Sequence, residues 1–257
     1  MSDNTVYLIS GANRGIGYGL ASALAVRPNA IVFAGTRSLS AESLQQLKAK
    51  HPNVHPVKLT SGDQEDNEAA IAHIQKVAGR LDVVIANAGI ANHSGPLTST
   101  PLSAFHEHFE VNTLGPVVLF QAAHKLLLAS PKNTPIFAVI SSVCGSMNRF
   151  MHISATPYGM SKAAANFLIK TLDVEHPTLI AMAIDPGWTE TDMGNRGAKF
   201  NGLGLEKAPV RLEDSVKGIL SRVDGATKEQ SSGRFWNFSV TSGTPHPWDV
   251  DTEEVPW

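Results

Sequence analysis

The sequence predicts a single α/β domain with three layers, built on a doubly wound parallel sheet. Three observations carry that expectation. Short β-branched and apolar runs alternate with longer helix-compatible stretches along the chain. Most of the short runs are continuously hydrophobic, as strands covered on both faces require. A glycine-rich turn sits directly between the first apolar run and the first helical stretch.

Taken in order, TVYLIS (5–10) is the first strand and leads through GANRGIGYGLA into a helix expected over 15–27. AIVFAG (30–35) precedes a helix near 41–50, and NVHPVKL (53–59) one near 64–79. LDVVIAN (81–87) is followed by a long helix near 103–129, and PIFAVISS (135–142) by one near 160–174. LIAMAID (179–185) is the sixth strand; a helix near 213–223 leads to the seventh, RFWNF (234–238). MGNRGAKFNGLGLEKAP (193–209) carries four glycines and reads as irregular. Ligands of open α/β sheets bind outside the carboxyl ends of the strands, so this stretch is expected to cover such a site. The tail over 241–257 is proline-rich and acidic and is expected to be extended.

At 257 residues and 42% hydrophobic, the chain is long enough to bury a substantial core. A formal net charge of -2 gives no electrostatic case for nucleic acid or an anionic membrane as partner. One cysteine, Cys144, excludes an intrachain disulfide framework and fits a reducing compartment. The start, MSDNTVYLIS, lacks the basic and apolar regions of a signal peptide, and no apolar run reaches the ~18 residues of a membrane span. The expectation is a soluble cytoplasmic protein. HEH (106–108) suggests no metal: two histidines two apart face different sides of a helix, without an acidic or cysteine cluster beside them.

Gly11, Gly15 and Gly17 follow the first strand with the spacing G-x-x-x-G-x-G. Glycine is needed where the backbone turns sharply and lets a pyrophosphate approach the N-terminus of the next helix. At the end of the second strand, Thr36 and Arg37 stand where an NAD site carries a carboxylate, and none appears before Glu42. Arg14 lies inside the glycine turn. Two guanidiniums converging on one phosphate favour NADP(H) over NAD.

Five further polar positions follow along the chain. ANAG (86–89) ends the fourth strand, where Asn87, with Gly89 beside it, braces the strand and faces the cofactor. Asn112 falls mid-helix, and Gly115 and Pro116 after it point to a kink and a freed carbonyl. Ser142 ends the fifth strand; sixteen residues on comes Tyr158, with Lys162 at i+4 on the same helical face. A free phenol titrates near a pKa of about 10. A neighbouring ammonium and an oxidised nicotinamide stabilise the phenolate, and lowering that pKa by about 3 needs roughly 4 kcal/mol. Tyr158 then donates a proton to a carbonyl oxygen as hydride arrives, or withdraws one from an alcohol in reverse. Ser142 hydrogen-bonds that oxygen, and Lys162 also reaches the nicotinamide ribose. Cys144 reads as a small pocket-lining residue. Phe150, Met151, His152, Trp188 and Phe200 read either as an apolar substrate wall or as core.

TVYLISGANRGIG, NAG, Asn112, Ser142, YGMSK and DPGWTETDM together resemble the short-chain dehydrogenase/reductase family, from the first strand to at least residue 193. The resemblance implies a Rossmann-type fold and a catalytic centre of Ser142, Tyr158 and Lys162, with Asn112 completing a proton relay through water. It places Asn13, Arg14 and Ile16 on the phosphate and nicotinamide side and Asn87 on the ribose side. Pro186, Gly187, Thr189 and Thr191 fall at the nicotinamide end. More narrowly, VYLISGANRGIGYGLASAL, TPYGMSKAAANF and ATKEQSSGRFWNF resemble fungal ketoreductases of the norsolorinic acid reductase kind, near the sniffer-like carbonyl reductases. The implied activity is NADPH-dependent reduction of a hydrophobic ketone by a homodimer or homotetramer joined through the helices near 103–129 and 160–174. Alcohol oxidation, a non-catalytic NADP-sensing regulator, and an epimerase or dehydratase on a related scaffold are the competing readings.

Three departures stand out. The serine–tyrosine separation exceeds the family's common 13, so MNRFMHISATP carries a small insertion beside the substrate pocket. An aspartate common after the third strand is replaced by LTSGD, where Thr60, Ser61 or Asp63 takes its place near the adenine. Thr189 stands where the family usually has Val or Ile.

Overall fold

The structure, a computed structural model, describes residues 4–132, 134–151, 153–200, 204–238 and 253–257. Seven strands form one parallel sheet: β1 (Thr5–Ile9), β2 (Ala30–Thr36), β3 (Val54–Lys58), β4 (Val83–Ala86), β5 (Ile136–Ile140), β6 (Ile180–Asp185) and β7 (Arg234–Asn237). Their order is β3-β2-β1-β4-β5-β6-β7. The chain builds outward from β1 to β3, then returns to add β4 on the other side of β1. Ile9 therefore lies between Ala34 and Ile85, and the crevice of a doubly wound sheet opens above that switch.

Both faces of the sheet are buried, which explains the continuous apolar runs. Val6 and Leu8 of β1 pack with Ile74, Leu119 and Ile169 on one face. Tyr7 and Ile9 point the other way, onto Leu20, Leu24, Val216 and Ile219. The helices of the described residues are α1 (Gly15–Ala25), α2 (Glu42–Lys50), α3 (Gln64–Val77), α4 (Leu102–Phe109), α5 (Gly115–Leu128), α6 (Thr156–Glu175), α7 (Asp192–Phe200), α8 (Leu212–Asp224) and α9 (Lys228–Ser231), of which α3, α5 and α6 bury one face of the sheet and α1, α2 and α8 the other.

Several elements differ from the sequence expectation, each for a local reason. The long helix over 103–129 is two helices, α4 and α5, joined by a π-helical turn over Glu110–Leu114. Pro116 has no N–H for the Asn112 carbonyl and its ring crowds that carbonyl, so a wider turn relieves both. α6 starts at Thr156 because Pro157 suits the first turn of a helix. The irregular stretch over 193–209 is half helix: the Thr191 hydroxyl accepts the Gly194 amide at 3.1 Å and caps α7. Residues 201–203 of that stretch lie outside the described residues, as do 241–252 of the tail. Residues 253–257 run beside β7, with Val255 N–H donating to the Phe235 carbonyl at 2.7 Å.

Candidate active site

The glycine turn follows from where β1 ends. Gly11 and Gly15 hold φ of 66° and 54°, the left-handed region that favours glycine. A Cβ on buried Gly17 would run into the Gly11 carbonyl and the Asn87 amide, so its absence lets turn and strand end meet. Asn87 Nδ2 donates to the Ser10 and Gly11 carbonyls at 2.9 and 3.3 Å. In return the Ser10 hydroxyl accepts the amides of Asn87 and Ala88 at 3.0 and 2.9 Å. The carboxyl ends of β1 and β4 are thereby clamped together.

A cleft of about 280 Å³ opens above this clamp. Gly11, Asn13, Arg14, Gly15 and Ile16 form one wall, and Asn87, Gly89, Tyr158 and Lys162 the other. Arg37, Thr60 and Ser61 lie farther along, and Pro186 and Thr191 close the opposite end. Asp63 does not line it; its carboxylate accepts the Asp66 amide at 2.9 Å and caps α3. Arg14 does not stand free beside Arg37: it pairs across the cleft with Asp192 of α7 at 3.2 Å.

A second cavity, of about 230 Å³, adjoins the first. Ser142, Cys144, Trp188 and Met151 line it, with Gly187 and Thr189, which therefore sit here rather than on the glycine-turn cleft. Phe150 and Phe200 are exposed and line neither cavity. His152 lies outside the described residues. The Trp188 ring is fixed by a hydrogen bond from Nε1 to the Gly194 carbonyl at 2.9 Å.

Tyr158 is half-buried and borders both cavities, with Ser142 on the apolar side and Lys162 on the cleft side. The buried Lys162 ammonium donates to the Ile140 carbonyl at 2.8 Å and lies 5.7 Å from the Tyr158 ring centroid. Desolvation pushes its pKa down from 10.5 to about 8. In the protein by itself, desolvation pushes the Tyr158 pKa up, and the Ser142 hydrogen bond only partly offsets it. Besides burial, the charges of Cys144 and Asp185 also work against the phenolate. Desolvation likewise pushes the Cys144 thiol up to about 11. Asn112, buried in the π turn, accepts the Ile90 amide at 2.8 Å and donates to the Ile90 carbonyl and the Ser161 hydroxyl. It ties the loop after β4 to α6.

The family described as short chain dehydrogenase matches residues 5–201. The chain belongs to the short-chain dehydrogenase family. It is accordingly an oxidoreductase. Norsolorinic acid ketoreductase of Aspergillus parasiticus is 39% identical over 254 residues, covering 96% of this chain and 92% of that protein. Among solved structures, the carbonyl reductase Sniffer of D. melanogaster superposes with a TM-score of 0.84 at 26% identity, covering 99% of this chain and 100% of that one. The NADPH-bound carbonyl reductase from chicken fatty liver gives 0.81 at 30% identity, covering 91% and 96%. Among the described residues, no helix of this short-chain dehydrogenase is long and apolar enough to cross a membrane.

Sequence reasoning missed several residues that this family member brings to the site. Ile153 and Met193 line the apolar cavity from within MNRFMHISATP and DPGWTETDM, where nothing distinguishes them from their neighbours. His93 reaches the same cavity from the loop after β4. Asp185 was legible in principle: it is a carboxylate ending an otherwise apolar strand, directly before Pro186 and Gly187, where sites of such sheets form.

Proposed function

We propose that the protein is an NADPH-dependent carbonyl reductase in which Tyr158 is the acid and base. The observation that carries this reading is the position of Tyr158 at the junction of the two cavities, with Lys162 facing the polar cleft and Ser142 the apolar one. A dinucleotide suits the cleft: the glycine turn leaves the start of α1 open to a pyrophosphate, and exposed Arg37 offers a guanidinium to a 2′-phosphate. Bound there, the cofactor supplies the hydride. Ser142 holds the carbonyl oxygen, and Tyr158 delivers the proton to it. Lys162, whose ammonium sits 5.7 Å from the ring, places positive charge where the phenolate forms.

The apolar lining supports a hydrophobic ketone, and the ketoreductase and carbonyl reductase relatives support reduction as the reaction. Exposed Leu102, Leu114, Phe167 and Val174 on α4 to α6 support a homodimer or homotetramer, and the lone cysteine supports a reducing compartment such as the cytoplasm. Tyr158→Phe tests the mechanism. Turnover of a ketone panel should fall by about 10²- to 10⁴-fold while NADPH binding, read by fluorescence, survives. Wild-type turnover in the variant, or no NADPH oxidation by the wild type with any ketone, sinks the proposal.

A further inference from the structure

Asp185 ends β6 at the wall of the apolar cavity, 4% exposed, and the proton transfer just described does not use it. The ladder between β5 and β6 runs to Ile140 opposite Ile184, and the Ser141 amide still donates to the Ile184 carbonyl at 2.8 Å. After that the chain leaves the sheet in a 3₁₀ turn over Val143–Gly145. The Val143 amide there donates to Asp185 Oδ1 at 2.9 Å, so a side chain takes over where the main-chain ladder stops. The turn closes back on Ser142, whose carbonyl accepts the Gly145 amide at 2.8 Å and whose hydroxyl accepts the Cys144 amide at 3.2 Å. Asp185 itself is held from the other side, opposite Asn237 in β7, with its carbonyl accepting the Phe238 amide at 2.9 Å.

We infer that Asp185 is a positioning residue for the reductase reaction proposed above: its carboxylate anchors the turn that presents Ser142 and fixes a negative charge beside Tyr158, Cys144 and Lys162. The inference rests on the reductase reading. That charge works against ionisation of the Cys144 thiol and the Tyr158 phenol and favours the Lys162 ammonium. Titratable groups that feel this charge include Cys144 on the turn and Tyr158 and Lys162 on α6, and His93 of the loop after β4 lines the same cavity.

Two variants separate hydrogen bond from charge: Asp185→Asn keeps an acceptor oxygen for the Val143 amide, and Asp185→Ala removes acceptor and charge together. Cys144 is the only cysteine, so its alkylation by iodoacetamide across pH reports the local field without turnover. In Asp185→Asn the alkylation profile should move to lower pH by about half a unit or more. With a ketone substrate, Asp185→Ala should lower kcat by about tenfold or more with the NADPH KM within about twofold, and Asp185→Asn should restore most of kcat. The Asn variant should also lose activity at lower pH than the wild type on the alkaline side, because reduction needs a protonated phenol. A folded Asp185→Ala enzyme at wild-type kcat, or an unmoved alkylation profile in Asp185→Asn, overturns the inference. A wild type that reduces no ketone overturns the reductase reading instead, while the alkylation arm still reports on the charge.

Discussion

Replacing Lys162 by Met should cost the enzyme its turnover and change how its stability responds to pH. Lys162 is 4% exposed, and burial lowers its pKa from 10.5 to about 8. At about 1.4 kcal/mol per pH unit, the fold penalises the ammonium by about 3 kcal/mol. The sign follows from proton counting. Below pH 8 both folded and unfolded chains hold the proton, and the full penalty applies. Between pH 8 and 10.5 the unfolded chain holds it and the folded chain does not, so wild-type stability climbs with pH. Met removes that climb. It also removes the hydrogen bond to the Ile140 carbonyl, a loss of about 1–3 kcal/mol that does not depend on pH. Urea denaturation of both proteins at pH 7 and pH 10.5 isolates most of the effect, because titrations away from the site are common to the two; the same comparison in a Cys144→Ala background removes the one thiol that feels the Lys162 charge. The variant's stability relative to wild type should be about 3 kcal/mol more favourable at pH 7 than at pH 10.5, or roughly 6–12 °C in Tm for a chain of this size. The same difference at both pH values refutes the reasoning and means that the ammonium is not penalised by burial.

Two further outcomes follow from the geometry. Arg37→Asp should lower kcat/KM for NADPH by about 10- to 100-fold and leave NADH use nearly unchanged, since the proposed role of that side chain is to meet the 2′-phosphate alone; equal losses with both cofactors count against the assignment. Trp257 braces the segment leading to Met151: its carbonyl accepts the Asn148 amide at 2.9 Å, and its ring lies 5.7 Å from Phe235 and 4.6 Å from Lys170 Nζ. Trp257→Ala should cost about 2 kcal/mol in urea denaturation and raise the KM of bulky ketones more than that of small ones; an equal effect on both would show that the segment does not shape the pocket.

Much of the fold was legible because its causes are local. Continuous apolar runs such as AIVFAG and PIFAVISS have one economical burial, between two layers of helices, and all seven expected strands are present in the described residues. The helix boundaries slipped where one residue changed the hydrogen bonding: Pro116 forced the π turn, Pro157 advanced α6, and the Thr191 cap turned part of an expected loop into α7.

What the sequence by itself determined is the parallel architecture, the glycine turn after β1, and the chain order of Ser142, Tyr158 and Lys162. Each is a backbone requirement or a fixed helical offset, readable within a few residues. Only the tertiary structure decided that Tyr158 borders two cavities, that Asp63 caps a helix while Arg14 meets Asp192, and that Asp185 reaches the turn beside Ser142. It also decided the direction of the Tyr158 and Lys162 pKa values. Those outcomes depend on groups far apart in the chain and on how much water the packed elements exclude, and charge in a low-dielectric interior answers to both.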